Sequence, residues 1–546
     1  MAGEMESAYC GCDPVISKSL SEKPESQKSG NINVTTNFQK LYSYNSFEFE
    51  DADESDECHH SRKSSNNDRK KNSVKNDDND DYYIKYTNDY IDFTYSNPTT
   101  YHFVEGIGEL LTMNGFKYLP EKLDWSNLKP GKYFSTRSGT SLIAFIIGKD
   151  WKPCNGVGSI VAHVDSLTVK LKPNSVKPKN EGYELLGVAP YSGALSDKWW
   201  DRDLGFGGRV LIRKNCKFSI KLINSTPHPI GHIASLAEHF GSVSKGPFNL
   251  ETQMVPIIGF DIKDEPEPLE DEKSAPLYGE HSLKFLRYVA KLANVKVSEI
   301  YGIDFDLFDI QKGSIGGLSN EFFFAPRLDD KLCSYAAINA LIEFDNNSNN
   351  SNSNLNSNFT IVGLFDNEEI GSLSRQGVRG GFFESIINRV TNSFYKLDDT
   401  NSINKIIFAN SIILSTDVTH LFNPNFPDAY LPRHRPLPNT GITVKLDPNG
   451  HTATDLIGIS IIKQLAELNN DFFQKFHVRN DIRSGSTIGP FISSQTGARV
   501  IDVGIPQLSM HSIRGMSGSK DLGLGIKFFK GFFCNWRNVY DSFGDL

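Results

Sequence analysis

Polar and apolar residues divide this chain unevenly. The stretch "DADESDECHHSRKSSNNDRKKNSVKNDDNDD" (51–81) has almost nothing to bury, and Ser, Asn, Asp, Glu and Lys dominate all of residues 1–80. It predicts a disordered tail over 1–81. Order is expected to begin near Tyr82–Phe93. In "NPTTYHFVEGIGELLTMNGF" (97–116), Phe103, Ile107, Leu110, Leu111 and Met113 recur at helical spacing behind a cap at Thr99 or Thr100. "SLIAFIIG" (141–148) and "VGSIVAHV" (157–164) read as core strands. A helix "CSYAAINALIEF" (333–344) and a strand "FTIVGLF" (359–365) flank an Asn/Ser-rich run, which predicts a low-complexity surface loop over 345–358. Strand–helix–strand alternation on both sides of that run predicts an α/β fold.

Several apolar runs end in ionisable residues. "VAHVDSLTVK" ends its run in His163, followed by Asp165. A histidine that binds metal needs its second ring nitrogen held, and a neighbouring carboxylate does this. On its own the pair reads equally as a satisfied core histidine. "APRLDDKLCSYAAINAL" places Asp329 and Asp330 where a loop enters a helix, as a cap or as a bridge between two cations. "IVGLFDNEEIGS" is the most informative segment. Its apolar strand runs straight into Asp366, Asn367, Glu368 and Glu369. The carboxyl ends of strands are where α/β sheets place ligands. Adjacent glutamates diverge, so one can ligate a metal while the other serves as general base. "SIILSTDVTH" delivers Asp417, and "VIDVGIPQLSMHSIRG" delivers His511. Two imidazoles and three carboxylates gathered this way suit zinc or a similar divalent ion. A shared carboxylate would make a co-catalytic pair about 3.5–4 Å apart.

Composition narrows the partners. With 546 residues the chain is long enough for a large core and two domains. Its formal net charge of −9 gives no dominant basic field, which argues against nucleic acid. No run of about 18 apolar residues occurs, so no membrane span is expected. The seven cysteines are scattered and odd in number, which fits a reducing, cytoplasmic setting. "MAGEMESAYCGCDPV" has no apolar core of a secretory signal.

The five metal-type segments, in this order, resemble the M18 family of metallopeptidases, the aspartyl aminopeptidases. So do "WWDRDLGFGGRV" (199–210), "RHRPLPNTG" (433–441) and "VRNDIRSGSTIGPFIS" (478–493). The resemblance runs from about residue 88 to the C-terminus. It implies a zinc-exopeptidase-type catalytic domain over 82–172 and 321–546, with a mixed central sheet flanked by helices. A β-rich dimerisation domain would be inserted over 173–320. It also implies two divalent ions per subunit, zinc first, with cobalt or manganese as substitutes. His163, Asp329 and Asp417 would hold one ion, and Asp329, Glu369 and His511 the other. Asp165 would orient His163, and a water between the ions would be the nucleophile, with Glu368 as general base. The family usually reads Asp-Asn where this chain has Asp329-Asp330, so a further negative charge lies beside the bridge.

The family removes N-terminal Asp or Glu from peptides, which needs a cationic pocket. Lys445, in "GITVKLD", matches its pocket lysine, and His420 a histidine near the substrate. His232, in "GHIASLA", is similar to a histidine that reaches a neighbouring subunit's site; a helix-start histidine is the plain alternative. Family members form tetrahedral dodecamers built from dimers, so a large homo-oligomer is implied. Two other readings use the same residues: an exopeptidase for neutral or glutamyl N-termini, and a non-catalytic cargo scaffold. Gathering unpaired carboxylates in one cleft is costly, which disfavours the scaffold.

Overall fold

The computed structural model describes residues 77–261, 266–348, 356–395 and 400–544. Most of the predicted tail, and the centre of the Asn-rich run, therefore lie outside the described residues.

Nine strands make a mixed central sheet. Its middle is four parallel strands, Phe359–Phe365, Gly158–His163, Ile412–Thr416 and Arg499–Gly504, in that spatial order. All six residues of Gly158–His163 and all seven of Phe359–Phe365 are buried, as expected of strands covered on both faces. Alternation assigns each residue a side. Ile160, Ala162, Val362, Leu364 and Leu414 join one core, and Val161, Ile361, Phe365 and Ile413 join the other. Helices Leu328–Ser348 and Asp521–Asp541 fill the first core, and Phe382–Tyr395 fills the second. Burial of each large aliphatic side chain stabilises by about 1.5–3 kcal/mol.

The expected helix near 97–116 is present as Thr100–Met113, with Thr99 as its cap. Phe103, Ile107 and Leu111 are buried, but Met113 is 78% exposed at the helix end, which corrects its place on the apolar face. Order begins earlier than residue 82, in a helix Asp77–Ser96. Its contacts are largely tyrosines: Tyr82 and Tyr86 both donate to Glu343, which also accepts from Lys530. At the Asn-rich run, the helix continues to Ser348, four residues into the predicted loop.

A second, seven-stranded sheet spans Thr168–Asp309. It starts slightly before the predicted insertion point and ends before residue 320. Strand Ile300–Asp309 pairs with both Thr168–Val176 and Asp203–Lys214, so six strands close into a barrel and Lys217–Asn224 is left at the edge. "WWDRDLGFGGRV" and "FSIKLIN" supply two of these strands, as their pattern predicts. Phe206, Phe285 and Phe305 form the aromatic centre of its core. Ser314–Gly316, Phe322–Ala325 and Gly515–Gly518 belong instead to a third sheet of five strands, together with Pro506–Leu508 and Thr419–His420.

Candidate metal centre

The carboxyl ends of the parallel strands converge on one cleft. His163 is the last residue of its strand. Its Nε2 lies 3.3 Å from Asp329 Oδ1, 3.5 Å from Asp417 Oδ1 and 4.0 Å from Glu368 Oε2. Asp329 turns its other oxygen, Oδ2, to His511 Nε2 at 3.4 Å, and Glu369 Oε2 is 3.9 Å from the same nitrogen. One carboxylate therefore faces both imidazoles.

The ligand-type atoms fall into two groups, each within 4.8 Å: His163, Asp330 and Asp417, and Asp329, Glu369 and His511. Asp330 thus joins the first group where Asp329 was expected. Its oxygens are already engaged, however. Oδ2 accepts from the His163 backbone N–H and Oδ1 from that of Val418. Asp330 thereby ties together the two strand ends that carry His163 and Asp417.

Asp165 sits behind His163, buried at 2% exposure. Its Oδ1 is 3.3 Å from His163 Nδ1 and accepts from the Glu368 N–H; its Oδ2 accepts from the Glu369 N–H. One carboxylate therefore fixes the imidazole and the backbone of both glutamates. The turn that presents them starts at Asn367, with φ of 63°.

Electrostatics follow from this crowding. Burial alone would lower the His163 pKa, but Asp165, Asp329 and Asp417 outweigh it and pull it well up. Burial pushes Glu368 up to about 7, with Asp417, Asp165 and Asp329 adding to it. Burial also raises Glu369, reinforced by Asp329. Asp417 goes the other way: burial is overcome by Lys445 and His163.

The substrate-side residues divide. Lys445 Nζ donates to Asp417 Oδ2 at 2.9 Å and is buried, so its charge is already paired. His420 is exposed, its ring 5.4 Å from Phe476 and near enough to Lys445, His511, Asp329 and Asp417 to feel their charges. His232 is not brought to this cluster. It lies on the second sheet, 3.6 Å from Asp201 and 3.8 Å from Asp203. Two contributors had no signal in the sequence. Lys331, 1% exposed, donates to the Val164 carbonyl at 2.7 Å. Tyr191 donates to Asp165 Oδ2 at 2.8 Å.

An α/β sheet that closes strand ends around two imidazoles and a shared carboxylate defines a hydrolase of the zinc-exopeptidase type. The family model described as "Aminopeptidase I zinc metalloprotease (M18)" matches residues 93–533. The vacuolar aminopeptidase 1 of Saccharomyces cerevisiae is 54% identical over 467 residues, covering 84% of this chain and 90% of that one. Aspartyl aminopeptidase 1 of Schizosaccharomyces pombe is 37% identical, covering 83% and 96%. The solved S. cerevisiae mApe1 dodecamer matches with a TM-score of 0.76 at 50% identity, covering 85% of this chain and all of that one. The chain belongs to the M18 family of metallopeptidases and is an aminopeptidase, a hydrolase acting on peptides.

The residues present fit the zinc that the family description names. Glu369 Oε1 is buried without a hydrogen-bond partner, and His163 turns Nε2, the nitrogen not facing Asp165, toward Asp329 and Asp417. Nitrogen and carboxylate donors are the set zinc takes. The carboxylates Asp165, Asp329, Asp330, Glu368, Glu369 and Asp417 outnumber the nearby cations, a surplus that divalent ions would neutralise.

Proposed function

We propose that the chain hydrolyses the N-terminal residue of peptides with two divalent ions, zinc first. His163, Asp329 and Asp417 hold one ion; Asp329, Glu369 and His511 hold the other. The observation that carries this reading is the placement of Asp329, with its two oxygens 3.3 Å and 3.4 Å from the two imidazoles. Asp330 serves as a brace, because its oxygens are held by backbone N–H groups. Bound there, the ions supply Lewis acidity toward a peptide carbonyl and toward water. Glu368, 4.0 Å from His163 Nε2 and with its backbone N–H held by Asp165, accepts a proton from the attacking water and delivers it to the leaving amine. Asp165 orients the His163 ring.

For the residue removed, the first reading is Asp or Glu, with the side-chain carboxylate on Lys445 and His420 beside it. The name of the S. pombe relative supports it. The Lys445–Asp417 bond favours a second reading, an uncharged N-terminal residue, because a neutralised lysine attracts a carboxylate weakly. Hydrolysis of matched Asp, Glu, Ala and Leu peptides, after chelation and zinc or cobalt add-back, separates the two. Cleavage restored only for Asp and Glu supports the first reading. Cleavage of Ala or Leu supports the second. No cleavage by the metal-loaded protein overturns both and returns the scaffold reading.

The solved S. cerevisiae relative is a dodecamer. We extend that assembly to this chain and place His232 at a neighbouring subunit's site; light scattering tests the mass. The four described cysteines are all free, which supports a cytoplasmic setting. Among the described residues no helix is long and apolar enough to cross a membrane. The vacuolar name of one relative makes the vacuole the second reading, and microscopy of the tagged full chain decides.

A further inference from the structure

We infer that Tyr191 is a positioning residue for the aminopeptidase reaction, delivered from the second sheet to hold Asp165. This inference rests on the two-metal reading of the site. Tyr191 closes strand Tyr183–Tyr191 and is 8% exposed. Its phenol joins a hydrogen-bond chain whose donors all point one way. Ser374 Oγ donates to Asn367 Oδ1 at 2.7 Å, and Asn367 Nδ2 donates to Tyr191 Oη at 2.9 Å. Tyr191 Oη then donates to Asp165 Oδ2 at 2.8 Å. Such chains polarise cumulatively, so the last bond is stronger than an isolated one.

The end of the chain matters because of what Asp165 already does. A carboxylate has about four acceptor positions. Those of Asp165 face the His163 ring, the Glu368 N–H, the Glu369 N–H and Tyr191 Oη. Three of these groups set the geometry of the reacting cleft. The fourth comes from a different sheet and is the second donor on Oδ2, beside the Glu369 N–H. Without it, Oδ2 is held by the Glu369 N–H alone, beside a cavity of about 240 Å³ that Asp165 and Tyr191 both line, and the carboxylate is held less firmly. The imidazole and the two glutamates would then lose a common reference. Outer partners of metal ligands typically matter 10–100-fold.

Tyr191→Phe removes the oxygen and keeps the ring. It is compared with the wild-type full chain after chelation and cobalt add-back. The expected result is a fall in kcat of about 10–100-fold with KM changed less than about threefold. The visible cobalt bands shift, and the unfolding midpoint stays near that of wild type. Asn367→Ala, which leaves the phenol unoriented, gives a smaller loss of the same kind. Wild-type kcat and wild-type cobalt bands in Tyr191→Phe overturn the inference. So does a loss confined to KM, or a loss that comes only with unfolding and is absent in Asn367→Ala. If wild type itself takes up no cobalt and cleaves nothing, the two-metal reading falls first and this inference falls with it.

Discussion

The two sheets handle charge in opposite ways. In the barrel, buried or half-buried ions are matched: Lys170 with Asp306, Arg209 with Asp304, Arg287 with Glu272. At the carboxyl ends of the central sheet, carboxylates face one another and imidazoles with few cations between them. Matched pairs neutralise each other and leave a surface that needs nothing more. A concentration of like charge is stable only when something else supplies the opposite sign. The difference separates a region built to persist from one built to bind.

The most drastic way to break the comparison is to remove metal. Chelation is expected to abolish peptide hydrolysis and leave the barrel folded, read by activity and circular dichroism before and after zinc add-back. Next, Glu368→Gln should lower kcat by about 10²–10⁴-fold while zinc uptake stays at the wild-type level, since the base is lost and the ligands remain. Full turnover by this variant would remove Glu368 from its role. On the barrel side, Phe206→Ala should cost about 3–5 kcal/mol of stability by emptying space between Phe285, Phe305 and Tyr288. Urea unfolding reads this.

The smallest effect concerns acid. His281 is buried in the barrel against Ser175, and burial lowers its pKa from 6.5 to about 4. The folded protein therefore holds fewer protons on it than the unfolded chain between those values. Its contribution is complete above pH 6.5 and is lost as pH falls toward 4, by up to about 3 kcal/mol. His102, in the other region, acts with the same sign. Comparing His281→Gln with wild type at pH 7.5 and 4.5 isolates the barrel's share. A variant with undiminished acid sensitivity would assign the effect elsewhere.

Much of the cleft was legible because its residues follow unbroken apolar strands. "FTIVGLFDNEE" and "SIILSTD" announce both the strand and its burden. Periodicity also found the helix at Thr100–Met113, though not that Met113 would overhang its last turn. The helix Asp77–Ser96 escaped because it docks largely through tyrosines, whose hydroxyls need Glu343 from far along the chain. Tyr191 and Lys331 escaped for the same reason. Each is an ordinary residue whose meaning depends on a partner in another segment. The family resemblance placed Asp329 at the bridge, but nothing in "LDD" says that Asp330 binds backbone on two strands.

The described flanks of the Asn-rich run, Ser348 and Asn356–Asn358, lie at the end of the central sheet away from the cleft. The helix that starts at the cleft carries the chain outward to Ser348 over about 31 Å, and Phe359–Phe365 brings it back. The returning flank is pinned where Gly148 and Asp150 donate to Asn358 and Asn356. Lengthening a closed loop by a factor of two costs only about 0.6 kcal/mol. For anyone wishing to label this enzyme, an epitope or fluorophore spliced between Ser348 and Asn356 would therefore be anchored by two described flanks that belong to the rigid frame, at the end of the sheet opposite the catalytic mouth.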